Sequence, residues 1–185
     1  DAKPLAALRS LDRNGRVIYV GSFSKTLFPA LRLGYLIMPP GLRDDFTSAK
    51  WLEDLGTSAI EQSALAHFIA QGGFERHMRR SSRTLKERRM VLIEGLRRCG
   101  HGNLEIADSH AGMHLVLWMN DFSLAQGEAF IAHARSRGLG LHAITPCYLN
   151  PPDRFGLLMG YGGLSVVEIE QALVIFEQCL QETSP

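Results

Sequence analysis

Between Phe74 and Cys99 five apolar residues, Phe74, Met78, Leu85, Leu92 and Leu96, recur at steps of four and seven. That spacing sets all five on one side of a single long α-helix, and Gly100 supplies its stop. A helix of this length divides the chain. Before it, Arg16–Gly21 (RVIYVG) and Leu33–Met38 (LGYLIM) are short apolar runs, the pattern of strands buried on both faces; Pro39 and Pro40 end the second. Helices are expected from Gly41 to about Trp51 and over Ser58–Gln71, the latter closed by Gly72-Gly73. The first fifteen residues read as a loop. After the long helix, strands are expected at Leu104–Ala107, Met113–Met119, Leu139–Ile144 and Gly156–Tyr161. Helices follow at Leu124–Arg137, ended by Gly138, and after Ser165, where Glu168 completes a capping box. Strands and helices mixed in this way give an α/β or α+β fold.

Composition excludes several classes. The 185 residues are 45% hydrophobic and 21% charged, with a formal net charge of +1. Such a balance gives no electrostatic reason to expect nucleic acid or a membrane surface as the partner of this segment. No apolar run reaches the length of a membrane span, and the start lacks the basic and apolar regions of a signal peptide. Cys99, Cys147 and Cys179 are odd in number and far apart. They suggest neither a disulfide framework nor a zinc site, and a reducing cytosol is the default. The opening at Asp1 is read as that of a fragment whose N-terminal part lies upstream.

The chemistry is concentrated in one window, Ser22-Phe23-Ser24-Lys25-Thr26-Leu27-Phe28-Pro29-Ala30-Leu31-Arg32-Leu33-Gly34-Tyr35. Held at both ends by strands, such a loop can place a side chain accurately. No acidic residue falls between Asp12 and Asp44. A lysine without a carboxylate partner, once partly desolvated, becomes a better amine nucleophile toward an aldehyde. Arg32 offers a planar fork of donors suited to phosphate, and Ser22 and Ser24 offer hydroxyl donors. The competing readings are a solvated loop lysine, a surface salt bridge for Arg32, and plain turn residues for the two serines.

This window resembles the Schiff-base segment of fold-type-I pyridoxal-phosphate enzymes, in their aminotransferase branch. The resemblance implies that Lys25 carries the cofactor as an internal aldimine, with Ser22, Ser24 and Arg32 binding its phosphate. A bare S-x-x-K is a weak signal. Here Ser, Ser, Lys, Pro, Arg and Gly all fall at family positions within fourteen residues, which is a strong one. Gln71–Arg80, Glu87-Arg88-Arg89, Ala111–Leu115 and Gly156–Tyr161 resemble one subgroup, the MocR family of bacterial regulators. There a GntR-type winged helix-turn-helix precedes an aminotransferase-like domain. The opening KPLAALRSLD resembles the piece that follows the family's cofactor aspartate.

The resemblance implies the C-terminal part of a large cofactor domain (1–75), a bridging helix (76–99) and a small α+β domain (100–185). It also implies pyridoxal 5'-phosphate as cofactor, a small amine or amino acid as effector, and a cytoplasmic homodimer. DNA would be contacted only through a domain upstream of this chain. One departure stands out. The branch usually carries an Arg that grips the substrate carboxylate on the strand before the last helix, and that position falls at Leu158. An apolar side chain cannot replace a bidentate clamp. Arg154, four residues earlier, is the nearby candidate substitute.

Other features take blander readings. Arg76, Arg79, Arg80, Arg83, Lys86, Arg88 and Arg89 stand opposite the apolar stripe. They read as a solvated helix face ahead of a nucleic-acid surface. His110 and His114 have the i, i+4 spacing of metal ligands, but Gly112 and the following strand break the helix such a pair requires. His114 can equally face a ligand pocket or pack as a core histidine, and Cys147 reads as a loop thiol. The expected function is a pyridoxal-phosphate-binding effector domain of a transcriptional regulator. The alternatives are a free-standing aminotransferase lacking its N-terminal half and an interaction domain that has lost the cofactor.

Overall fold

The computed structural model describes residues 5–100, 102–107, 112–150 and 152–183. The chain divides into two compact units between Arg80 and Ser81.

The first unit opens with a one-turn helix, α1 (Leu8–Leu11), where a loop was expected. The Asp12 carboxylate then accepts the backbone N–H groups of Asn14, Arg16 and Val17 at 2.7–3.0 Å. Those bonds, Val17 foremost, hold its pKa below the usual carboxylate value. They also delay the strand, because Arg16 and Val17 are committed to the turn. β1 therefore runs Tyr19–Ser22 and pairs antiparallel with β2 (Gly34–Ile37) in the register Tyr19↔Ile37 to Ser22↔Gly34. The glycines permit this register. A Cβ on Gly34 would lie 2.8 Å from the Gly21 carbonyl oxygen.

A turn at Pro40–Leu42 leads into α2 (Arg43–Asp54), whose first turn carries Asp44 and Asp45 where the helix dipole favours negative charge. Leu55, at φ 56°, closes it. α3 (Ala59–Ala70) ends at Gly72, φ 68°, and Gly73 already begins the next helix. The expected burial of both strands is not found. Val20 is 70% exposed, and among the described hydrophobic residues of this unit Leu33 alone is buried. Among the described residues the apolar side chains of these two strands stay largely uncovered, with Leu36 and Ile37 exposed as well.

α4 (Gly73–Cys99) is the long helix the stripe predicts. In the second unit its Leu92, Ile93, Leu96 and Cys99 are buried against a four-stranded antiparallel sheet. That sheet contains β3 (Leu104–Ala107), β4 (His114–Met119), β5 (His142–Ala143) and β6 (Phe155–Gly160), in the order β3-β4-β6-β5. Alternation sends Leu115, Leu117, Met119, Phe155 and Leu157 to the core face. α5 (Leu124–Ser136) and α6 (Val166–Thr183) complete the core with Phe130, Ile169, Leu173, Phe176 and Cys179.

Phe122, Phe130 and Phe176 meet edge to face at 5.4–5.5 Å. Gly127 lets α5 approach β6, since a Cβ there would lie 2.2 Å from the Phe155 ring. The capping box at Ser165 and Glu168 forms as expected, and a second one, Ser123 with Gln126, starts α5. β5 is shorter than the expected Leu139–Ile144. The three cysteines are free, and no described helix is long and apolar enough to cross a membrane.

Candidate functional site

The β1–β2 hairpin frames the Lys25 window. Phe23 N–H donates to the Leu33 carbonyl at 3.0 Å and closes the loop at its base. Within the loop, Leu27 N–H donates to the Phe23 carbonyl at 2.8 Å, so Ser24, Lys25 and Thr26 form a tight turn. Ser22 Oγ accepts from Ser24 N–H at 3.2 Å, which leaves the Ser22 hydroxyl proton for another acceptor. The loop returns through a 3₁₀ turn at Pro29–Leu31 and reaches Arg32 at φ 48°, ψ 26°. A left-handed arginine is uncommon and costs energy, which the paired strands on either side offset.

Side chains fix the loop from below. The Phe23 ring lies 5.4 Å from Tyr35 and 5.8 Å, edge to face, from Phe74 in the first turn of α4. One turn further on, His77 Nε2 donates to the Thr26 carbonyl at 2.9 Å, because a carbonyl can only accept. The peptide after Thr26 is thereby tied to α4, one residue from Lys25. Phe74 was legible only as part of a helix stripe. The roles of Phe23, Tyr35 and His77 needed the fold.

Lys25 and Arg32 are both exposed, so the partial desolvation expected of Lys25 is not supplied by the described residues. Neither forms an ion pair among the described residues, and for Arg32 the competing surface salt bridge is not made. Arg32 lines a cleft of about 410 Å³ with Lys50, Thr57, Gln62 and Ile69. Lys50 is held by Asp54, whose pKa that contact and the Gly56 N–H keep low. A hydroxyl, an exposed guanidinium without a carboxylate, and an amine on a pinned turn fit a phosphate-bearing aldehyde.

The remaining candidates lie in the second unit. Leu158 stands in β6 between Val116 and His142. Arg154 is occupied: its Nη1 bonds Glu105 Oε2 at 2.7 Å, and its guanidinium lies 4.0 Å over the Trp118 ring. Its guanidinium is thus engaged within the second unit's own sheet. His114 opens β4, exposed opposite Gly160 and beside a cavity, and is not packed in the core. His110 lies outside the described residues. Cys147 is exposed. Arg88 is committed, its Nη1 donating to the Gly162 carbonyl at 2.6 Å, and Arg79 pairs with Glu75 at 3.5 Å.

The aminotransferase class I and II family matches residues 1–155, and this chain belongs to that family. Over 166 residues, 90% of the chain, it is 37% identical to the HTH-type transcriptional regulator YhdI of Bacillus subtilis (strain 168). Over 163 residues, 88% of the chain, it is 36% identical to the probable rhizopine catabolism regulatory protein MocR of Rhizobium meliloti. The chain spans 35% and 32% of these two relatives, about a third of their length.

Among solved structures it superposes on all of its own length, and 45% of the other chain, with kynurenine aminotransferase of Pyrococcus horikoshii; the TM-score is 0.86 at 22% identity. For LysN, the α-aminoadipate aminotransferase of Thermus thermophilus, the TM-score is 0.82 at 24% identity, over 99% of this chain and 47% of that one. The fold is that of the type I aminotransferases.

Proposed function

We propose that this chain is the effector-sensing portion of a bacterial transcriptional regulator and that it holds pyridoxal 5'-phosphate on Lys25. The observation that carries the reading is the Ser22–Arg32 loop, pinned by Phe23 and His77 and offering hydroxyl, amine and guanidinium groups. Ser22, Ser24 and Arg32 would take the phosphate and Lys25 the aldehyde. The cofactor supplies a carbonyl that condenses reversibly with amines, so an amine or amino acid can exchange with Lys25. A regulator needs only that the exchanged and unexchanged states differ in conformation.

The likeness to YhdI and MocR supports regulation, with DNA contacted through sequence upstream of this chain. The same reading makes it a cytoplasmic homodimer whose large and small domains are joined by α4. Leu158 and the engaged Arg154 weigh against amino-acid turnover, because neither offers a substrate carboxylate a free planar cation. The test uses the full-length gene product. Pyridoxal phosphate should give a visible absorption band absent from Lys25→Ala, and an added amine effector should change DNA retention in a gel. Transamination of α-amino acids at ordinary enzyme rates, roughly one per second or faster, would overturn the regulatory reading.

A further inference from the structure

The second unit contains a gap in its sheet. β6 runs to Gly160, whereas β5 pairs with it only at His142↔Leu158 and Ala143↔Leu157. Ile144 N–H donates to the Gly156 carbonyl at 2.9 Å, and Tyr161 N–H to the Met113 carbonyl at 3.0 Å. In an antiparallel ladder these two bonds fix which way each residue of β6 points its backbone groups. Gly156, Leu158 and Gly160 direct N–H and C=O toward β5, and their odd-numbered neighbours direct theirs toward β4. The next rung on the β5 side would join Gly160 to Gly140. That rung is missing, and among the described residues neither the N–H nor the C=O of Gly160 has a backbone partner.

Beside the gap lies a cavity of about 520 Å³, within the size range of small-molecule sites. Leu92, Leu141, Ile169, Leu173 and Phe176 wall it, and Gly140 and Gly160 line its edge. Both glycines leave the way clear. A Cβ on Gly140 would meet nothing within 4 Å, and one on Gly160 would meet only the His114 ring. The lining includes two histidines, His114 and His142, and no Lys, Arg, Asp or Glu.

We propose that this gap and cavity form a binding site for a small apolar molecule that carries an amide group. The amide supplies the C=O and N–H that the missing rung would have given Gly160, and the apolar body occupies the cavity. An ionic head is disfavoured, because it would lose hydration without gaining a charged partner. A polypeptide strand is disfavoured, because Gly160 is the last residue of β6 and offers a strand a single rung. The lining is drawn wholly from the second unit, so the proposal stands whether or not Lys25 carries a cofactor.

The test is saturation-transfer NMR on the 185-residue chain and on the full-length gene product, with 4-phenylbutyramide as probe. Binding should saturate and should weaken by about tenfold or more in Ala172→Phe, which fills the cavity from a partly exposed position on α6. Gly140→Leu closes the gap from the surface and should give the same loss, which guards against a folding defect in the first variant. Methyl 4-phenylbutyrate, with no N–H to offer, should bind more weakly than the amide. Unsaturable binding, an ester as good as the amide, or unchanged affinity in both variants would overturn the proposal. So would binding by this chain that the full-length protein lacks, since a polypeptide segment would then hold the cavity.

Discussion

Arg32 joins two features that are independent of each other: a left-handed backbone at φ 48°, and a guanidinium that lines a cleft with no carboxylate partner among the described residues. If that guanidinium holds phosphate, Arg32→Lys keeps the charge and loses the planar fork. Binding of pyridoxal phosphate should then fall by about tenfold or more, while binding of pyridoxal, which has no phosphate, should change little. Isothermal titration of the full-length protein with both ligands measures this, and equal losses would make Arg32 a structural residue. The types and order of Ser22, Ser24, Lys25 and Arg32 were legible in the sequence, because their chemistry does not depend on the fold. The backbone of Arg32 was not, since nothing in a string of residues marks a left-handed arginine. The rings that seat the loop were equally hidden: Phe23 meets Phe74 across about fifty residues of chain.

At the scale of elements, the clearest electrostatic tie is between α5 and α6. Glu182 accepts from His133 Nε2 at 2.7 Å and from Arg137 Nη1 at 2.9 Å, while Arg137 Nη2 reaches Gln178 at 2.9 Å. The His133 hydrogen bond first, and then Arg137, hold the Glu182 carboxyl below its ordinary value of 4.5. A depressed carboxyl pKa stabilises the fold above the unfolded value, and that contribution is lost as pH falls through the folded value. Glu182→Gln should therefore be the less stable protein near neutral pH. The difference should shrink as pH drops from about 5 to about 3. Urea denaturation across that range checks it, and a gap that widened toward acid would contradict the pairing.

Elements with strong period and end signals were the legible ones. α4 announces itself by its stripe and Gly100, and α6 by its Ser165 box. β5 did not, because an apolar run such as Leu139–Ile144 does not distinguish a paired strand from an extended segment; only His142 and Ala143 pair. α1 was missed because four residues are too few to show a helical period.

For the whole molecule, the two units differ in how well they cover themselves. The second buries a continuous core from α4 to α6. The first leaves Val20, Trp51, Leu52 and Ile60 exposed at 70%, 61%, 83% and 81%. Runs of apolar residues predicted the strands without saying what would cover them, and here the described residues do not. Exposed apolar surface on this scale drives association. Light scattering at micromolar concentration should show self-association that Trp51→Glu combined with Leu52→Glu reduces, and a monodisperse wild-type monomer would contradict this. The central claim is that Lys25 is the residue that takes the cofactor, and borohydride trapping tests it most directly. Full-length protein incubated with pyridoxal phosphate, reduced, digested and mapped by mass spectrometry should carry one phosphopyridoxyl group, on the peptide containing Lys25. A group mapped to another lysine, or equal labelling of Lys25→Ala, would contradict the account.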